Sequence, residues 1–312
     1  MHNTECEFYN SFAEKFDFLP LAKVYGTKLW TKTEDGLILM EDLSKTGRLQ
    51  FLPTSVNMAQ IKEMTILFAK MHKIILTMDE KEWKGKFIKN QSTFADMVQM
   101  ITTQIDKFLN NSNKFREYLE PYINKYRKLL GSSELVTYVH GKAHLDVGLD
   151  SVLCHGDLWL ANIFWKTDSN GEVSSKISAL IDWQIMHEGN PMADLCRFLI
   201  SCADGHIRRQ AETFIIQFYL DVLESEFKKD GKICPFSLEQ LQKAYDLFFI
   251  PMSFMLIPAT TITITTLKKE EADGYHRKAL FDIGYLRALH AMEDVDRLIE
   301  SNYKFIFDKY GL

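Results

Sequence analysis

Several features that would place a chain in a specialised class are absent from this sequence. The five cysteines are odd in number and include no Cys-x-x-Cys pair, so neither a zinc ribbon nor a disulfide framework is indicated. The net charge of −5 comes without a basic stripe, which argues against a nucleic-acid partner. The amino-terminal residues do not resemble a signal peptide. These absences predict a cytoplasmic protein with reduced thiols.

No apolar run is continuous enough to predict a membrane span. The longest, over residues 248–264, is interrupted by Pro251 and Pro258 and contains several hydroxyl side chains. A span needs about 20 predominantly apolar residues. We therefore expect a buried helix followed by a turn.

Length and composition suit a large globular protein. The chain has 312 residues, of which 46% are hydrophobic, with 22 phenylalanines and 12 tyrosines. It is longer than one average domain and can fill an extensive core. Two lobes that share a cleft are consistent with this size.

The most informative stretch covers residues 152–198. It begins as a short apolar strand, turns at a His-Gly-Asp tripeptide and continues as a second apolar strand. Residues 177–181 then predict a buried strand that stops at Asp182. A carboxylate at the end of a buried strand is costly unless a partner compensates it, so this acid indicates a function.

Three side chains of this stretch offer oxygen atoms in an order that suits phosphoryl transfer: Asp157, Asn162 and Asp182. Transfer from ATP needs a carboxylate that orients the attacking hydroxyl group, and Mg²⁺ needs oxygen ligands such as carboxylates and amides. We therefore predict a catalytic loop over residues 152–165 with Asp157 as the base. The metal-binding strand is predicted over residues 177–183, with Asn162 and Asp182 as Mg²⁺ ligands.

The loop His155-Gly-Asp-Leu-Trp-Leu-Ala-Asn162, the segment Ile-Asp182-Trp-Gln and a downstream Gly-Asn-Pro with Asp194 resemble the aminoglycoside phosphotransferase and choline kinase superfamily. They are most similar to the CHK kinase-like, or ecdysteroid-kinase-like, branch, which includes uncharacterised nematode members. The resemblance implies an α+β, protein-kinase-like fold of two lobes. It also implies ATP and Mg²⁺ as cofactors, and a small molecule with a hydroxyl group as the acceptor.

The resemblance further implies roles for four side chains around the loop. His155 would brace the loop, and Asp194 would hold its backbone; an exposed acid in a first helical turn is the alternative for Asp194. Trp159 and Trp183 flank the predicted site. Their aromatic faces could contact a cationic acceptor, but ordinary packing is the favoured interpretation.

The amino-terminal segment predicts a helix over residues 4–16 and strands over 21–31 and 37–40. By resemblance, residues 1–43 form a truncated small lobe that consists of the regulatory helix and the hinge strands. Residues 44–312 then form a large, mostly helical lobe.

The resemblance places ATP at the hinge between the lobes, residues 39–43. There backbone groups of Glu41, Asp42 and Leu43 would hold the adenine. Glu5 lies where the regulatory helix carries the glutamate that pairs with a phosphate-binding lysine. A solvated helix glutamate is an equal alternative for Glu5.

One departure from the family pattern leaves two functional hypotheses. The glycine-rich hairpin and the phosphate-binding lysine that precede the helix in such kinases are not found in this sequence. The chain is therefore either an ATP-dependent phosphotransferase, in this form or in a longer native one, or a catalytically inactive kinase-like binding or scaffold protein. A protein kinase fits less well, since Asp-Phe-Gly and Ala-Pro-Glu are missing.

Apolar residues at three- and four-residue steps predict the remaining helices. Thr54 or Ser55 is the expected cap of the first, and a solvated connection is expected near residues 268–271. The predicted helices cover residues 56–76, 94–109, 115–130, 208–227, 237–257 and 275–299.

Overall fold

The computed structural model describes residues 1–51, 54–266 and 274–312; at residues 92, 97, 263–266 and 274–277 it describes the backbone alone. The connection expected near residues 268–271 lies outside the described residues. The expected α+β class is confirmed, because helices dominate and small sheets complete the fold. The helices are α1 (His2–Ser11), α2 (Met58–Thr77), α3 (Glu80–Trp83), α4 (Ser92–Asn111), α5 (Arg116–Lys125), α6 (Arg127–Leu130), α7 (Ser133–Gly141), α8 (Ala143–Asp146), α9 (Ala193–Cys202), α10 (Gly205–Glu212), α11 (Ile215–Lys229), α12 (Leu238–Ser253), α13 (Leu256–Thr266), α14 (Gly274–Ser301) and α15 (Lys304–Tyr310).

The strands of the described residues pair antiparallel in three small sheets. The first sheet pairs β1 with β2, the second has the order β3-β5-β6, and the third pairs β4 with β7. The second and third sheets bring the two halves of the predicted site together. The strands are β1 (Val24–Lys28), β2 (Leu37–Met40), β3 (Arg48–Leu49), β4 (Val152–Cys154), β5 (Ile163–Thr167), β6 (Val173–Leu180) and β7 (His187–Gly189).

Helix α2 runs through the centre of the large lobe. Its apolar face, which includes Ile61, Met64 and Phe68, is almost fully buried. Neither Thr54 nor Ser55 caps it, so that prediction is wrong. The Asn57 side chain accepts a hydrogen bond from the Gln60 backbone amide, and the Gln60 side chain accepts one from the Asn57 backbone amide. This reciprocal pair satisfies two amides, which a single hydroxyl cap cannot do.

Helix α1 is packed between the β1–β2 hairpin and the rest of the molecule. Phe8 and Phe12 belong to the main core. On the other side, Asn3 exchanges two hydrogen bonds with the backbone of Trp30, at 2.8 and 3.0 Å. The amino-terminal segment therefore shares the core of the large lobe, and the boundary at residue 43 stays a prediction.

Two helices predicted as single are broken. The helix expected over 115–130 ends at Tyr126 (φ −103°, ψ 13°), which separates α5 from α6. The helix expected over 208–227 is interrupted at Phe214 (φ −144°), between α10 and α11. Both residues keep the apolar spacing of a helix, so periodicity alone hides the breaks.

The apolar carboxyl-terminal stretch is internal to the protein. Residues 238–262 form the one stretch of the described residues that is long and apolar enough to cross a membrane, and 78% of its most apolar window is buried inside the fold. A mostly buried core helix satisfies the same criterion, so this finding is weak evidence for a span.

Candidate active site

The predicted catalytic loop joins the third sheet to the second. It leaves β4 at Cys154 and enters β5 after a 3-10 turn, Leu160–Asn162. Since β5 and β6 pair with Ile163 opposite Leu180, the end of the loop lies beside the end of the strand that precedes Asp182. Sheet register thus brings the two motifs together.

His155 connects the loop to the metal strand. Its Nε2 donates to the carbonyl oxygen of Ile181 at 2.9 Å, and its Nδ1 accepts from the backbone amide of Asp157 at 3.2 Å. Both ring nitrogens are used in this way by a neutral imidazole that carries its proton on Nε2. The residue is fully buried, so its geometry suits a brace rather than a group that contacts substrate.

Asp194 holds the start of the loop from the first turn of α9. Its two carboxylate oxygens accept the backbone amides of His155 and Gly156, at 2.6 and 2.9 Å. It is 1% exposed, which excludes the solvent-exposed alternative, and burial raises its pKa. Gly156 has φ +87°, and a Cβ there would lie 2.5 Å from the Ile185 oxygen, so this tight turn requires glycine.

Asn162 and Asp182 lie next to each other at the carboxyl-terminal end of β6. The backbone amide of Ile181 donates to the Asn162 carbonyl oxygen at 3.1 Å. The Asn162 Nδ2 donates to the Asp157 carbonyl oxygen at 2.8 Å, so its Oδ1 is the atom that it can offer to a cation. Asp182 has φ +67°, an uncommon conformation for a side chain-bearing residue and one that clusters at functional sites.

Glu5 approaches the metal strand from α1. Burial and the nearby charge of Asp182 raise the pKa of Glu5. The backbone amides of Trp183 and Asp182 lie close enough to its carboxylate to favour the charged form and so to lower its pKa, which offsets part of this rise. The sequence suggested either a lysine partner or a solvated side chain; in the structure Glu5 instead supports the backbone turn that carries Asp182.

Arg197 is a functional candidate that the sequence interpretation missed. Its Nη2 makes an ion pair with Oδ1 of Asp157, and its side chain is largely buried on α9. One signal could have indicated it: an arginine three residues after Asp194, in a helix that is otherwise almost entirely apolar. That spacing places both side chains on the face that meets the loop.

The two tryptophans have different surroundings. Trp183 is 1% exposed and stacks on Phe8, with ring centroids 3.8 Å apart and planes at 8°. A contact with the acceptor is therefore wrong for Trp183, because the ring is a core contact between α1 and the metal strand. Trp159 is 38% exposed and lines a cavity beside Arg197.

The predicted hinge residues are occupied by local bonds. Oε1 of Glu41 accepts the Lys23 amide at 2.8 Å, and the Glu41 amide donates to the Lys23 carbonyl. Asp42 caps a short 3-10 turn by accepting from the amide of Ser44 at 3.0 Å, and Leu43 is buried. The Glu41 side chain therefore ties the end of β2 to the residue before β1, and Asp42 stabilises the turn after β2. Contact with adenine would fall to backbone groups.

The oxygen groups at the end of β6 fit a magnesium ion of the kind that accompanies ATP. No group of three or more His, Cys, Asp and Glu side chains within the described residues could hold a metal on its own. Mg²⁺, however, is commonly bound by one or two carboxylates, and phosphate oxygens and water complete its octahedron. Asp182 and the Asn162 amide supply that donor set.

The electrostatics of this cluster predict a pH-dependent effect of Asp182→Asn. Burial and the charge of Asp157 raise the pKa of Asp182 above 3.8, so its contribution to stability is largest below that value and declines as pH rises through the raised pKa. We expect the variant to unfold at nearly the native temperature at pH 4 and at a higher temperature at pH 7. Thermal unfolding across this range, with the 85%-exposed Asp106 changed to Asn as a control, tests the sign; a lower melting temperature than native at pH 7 would contradict it.

Comparisons with known proteins come from sequence and from structure. The family model that matches residues 1–303 is described as "DUF1679: Uncharacterized oxidoreductase dhs-27". In Caenorhabditis elegans, "Uncharacterized oxidoreductase dhs-27" is 31% identical over 251 residues, which cover 80% of this chain and 30% of that protein. "Uncharacterized kinase-like protein D1044.1" is 26% identical over 252 residues, covering 78% and 61%. The chain thus spans less than two thirds of either relative.

Among solved structures, the chain is similar to a putative aminoglycoside phosphotransferase from Ralstonia eutropha. The two share 14% identity, with 95% of this chain and 82% of that one covered at a TM-score of 0.43. An ethanolamine kinase from Plasmodium vivax shares 17% identity, with 92% and 70% covered, also at 0.43.

Proposed function

We propose that this chain, which belongs to the family described as "DUF1679: Uncharacterized oxidoreductase dhs-27", is an ATP-dependent phosphotransferase of the CHK kinase-like type. Its acceptor is the hydroxyl group of a small molecule. One observation carries the proposal: the sheet register brings Asp157, Asn162 and Asp182 together at the junction of a buried, braced loop and a strand end. The free thiols fit a cytoplasmic setting.

The geometry supports a division of labour among these residues. Asp157 Oδ1 is paired with Arg197. Oδ2, which the Asn162 Nδ2 approaches at 3.5 Å, is the oxygen that orients the acceptor hydroxyl group and takes its proton. Asn162 and Asp182 hold the cation that neutralises charge on the transferred phosphoryl group. His155 and Asp194 fix the loop and contact neither reactant. Rate enhancement then comes from position and charge, with little covalent chemistry.

The word oxidoreductase in the family description does not by itself describe this site. It names a protein of which this chain covers 30%, and the sequence contains no Gly-x-Gly-x-x-Gly dinucleotide fingerprint. A phosphotransferase is therefore the better supported class.

The second candidate is a catalytically inactive kinase-like binding or scaffold protein. The observation in its favour is that the Glu5 carboxylate lies close to the backbone amides of Asp182 and Trp183, where an ATP-binding kinase of this type would direct the glutamate to a lysine. In such a protein, binding of Mg·ATP would not depend on Asp182.

Calorimetric titration of Mg·ATP into the full chain separates the two candidates. We expect binding that weakens at least about tenfold in Asp182→Asn, which corresponds to about 1.4 kcal/mol, because the variant loses the charged cation ligand. Asp106→Asn, which changes an exposed carboxylate, should bind as the native protein does. Equal binding by native protein and Asp182→Asn, or no binding by either, would reject the phosphotransferase proposal for this chain.

A further inference from the structure

A small cavity opens beside the candidate base, between α9, α13 and α14. Its volume is about 80 Å³, and the residues around it include Trp159, Arg197, Ser201, Thr260 and Arg287. Sites that enclose a whole drug-sized ligand commonly have about 300–1,000 Å³. This cavity can therefore take one compact end of a molecule, while the remainder lies outside it.

Arg197, which lines this cavity, has an unused hydrogen-bond donor. The residue is 9% exposed. Its Nη2 binds Asp157, and its Nη1 lies 3.6 Å from Sδ of Met252. Its Nε is buried and has no hydrogen-bond partner among the described residues. A buried donor without an acceptor is unfavourable, so a ligand atom that accepts a hydrogen bond here would be favoured.

The charges around the cavity favour an anionic group over a cationic one. Arg287 supplies a second guanidinium, which donates to Asp204 at 2.8 Å and to the Thr54 carbonyl oxygen at 3.0 Å. None of the described residues that line the cavity carries a carboxylate. The half-exposed ring of Trp159 adds a flat apolar side. An ammonium group would thus meet hydrogen-bond donors on two guanidiniums that Asp157 and Asp204 already pair, whereas a carboxylate would accept from such donors in pairs.

We propose, as a refinement that rests on the proposed function, that the acceptor is a short hydroxy acid whose carboxylate occupies this cavity against Arg197. The same guanidinium contacts Asp157 and lines the cavity, so the hydroxyl group at Asp157 and the carboxylate are separated by only a few carbon atoms. The hydroxyl oxygen bonds to the γ-phosphorus of ATP as the bond to the bridging oxygen breaks. Its proton passes to Asp157, and the products are a phosphate monoester and ADP.

Binding of three probes of matched length to the full chain tests this assignment. They are 3-hydroxypropanoate, 3-aminopropan-1-ol and propane-1,3-diol, which share a hydroxyl group on a three-carbon chain and carry a carboxylate, an ammonium group or a second hydroxyl group at the other end. In ligand-observed saturation-transfer NMR we expect 3-hydroxypropanoate to bind at least about fivefold more tightly than either of the others. Arg197→Gln should abolish that preference, because a glutamine offers no positive charge.

A second variant guards against loss of fold in Arg197→Gln. Ser201→Leu places an apolar side chain in the cavity and leaves the pair of Asp157 and Arg197 intact; it should also abolish binding of 3-hydroxypropanoate. Asp106→Asn should bind as the native protein does, and circular dichroism melts establish that each variant is folded. Tighter binding of the amino alcohol, equal binding of the three probes, or no binding of any would overturn the assignment.

Titration of Mg·ATP into the same samples separates this inference from the proposed function. Mg·ATP binding without a preference for 3-hydroxypropanoate rejects the hydroxy acid and leaves the phosphotransferase standing. A preference for 3-hydroxypropanoate without Mg·ATP binding supports the cavity assignment and rejects the phosphotransferase.

Discussion

Asp194→Ala is expected to lower the free energy of unfolding by about 3 kcal/mol, the largest loss of stability among the single substitutions considered. The carboxylate is 1% exposed and is the acceptor for two loop amides, at His155 and Gly156. Each buried amide left without a partner costs about 1–3 kcal/mol, and the relief of a buried charge offsets part of the sum. Alanine favours the helix, so a change in helix propensity does not explain the loss. Urea unfolding monitored by circular dichroism measures it.

A matched pair of variants isolates the cause of that loss. Asp194→Asn keeps one acceptor oxygen but turns an NH₂ group towards the second amide. Its free energy of unfolding should therefore lie between those of the native protein and Asp194→Ala. Asp106→Ala, at an 85%-exposed carboxylate, should change stability by less than about 0.5 kcal/mol. If Asp194→Ala unfolds within that same margin of the native protein, the two amides find other partners and the anchoring role fails.

Asp157→Ala is expected to lower the free energy of unfolding by about 2–3 kcal/mol, more than removal of its partner does. The asymmetry follows from burial: the Arg197 side chain is 11% exposed and that of Asp157 is 21% exposed. Removal of the acid leaves a more deeply buried charge uncompensated. We expect Arg197→Met to cost about 1 kcal/mol, since water can reach the remaining carboxylate.

The double variant measures how strongly the two side chains are coupled. Because the pair is broken by either change, the combined loss should be about 1–2 kcal/mol smaller than the sum of the single losses. Chemical unfolding of the four proteins closes the cycle. Additive losses would show that Asp157 and Arg197 act independently, and the guanidinium would then have no role in holding the candidate base.

The sequence predicted the parts of the fold that local pattern determines. The pattern of short apolar runs that end at polar residues predicted the strands β4, β5 and β6. In the structure these strands bring Asn162 beside Asp182. Strict apolar spacing predicted α2 to within two residues at its start. The class of the fold followed from the resemblance of the motifs on these elements to the aminoglycoside phosphotransferase and choline kinase superfamily.

Other features depend on contacts that a linear pattern does not record. The ion pair of Arg197 with Asp157 joins residues 40 positions apart, and Trp183 is a core residue only because Phe8 covers it. The break at Tyr126 preserves the apolar spacing on both sides. For Arg197 and Trp183 a tertiary neighbour, rather than the local sequence, determines the outcome.

The position of α1 provides a route by which binding elsewhere on the protein can affect the proposed cation site. The Glu5 carboxylate lies close to the backbone amide of Asp182, while Asn3 on the same helix forms two hydrogen bonds with the backbone of Trp30 in the hairpin. A partner that binds the helix with different affinities in the cation-bound and cation-free states changes the affinity of the protein for the cation by a certain factor. Thermodynamic reciprocity then requires the cation to change that partner's affinity by the same factor. The amino-terminal helix is thus a surface outside the cleft at which a binding partner can sense or change the cation-bound state of the protein.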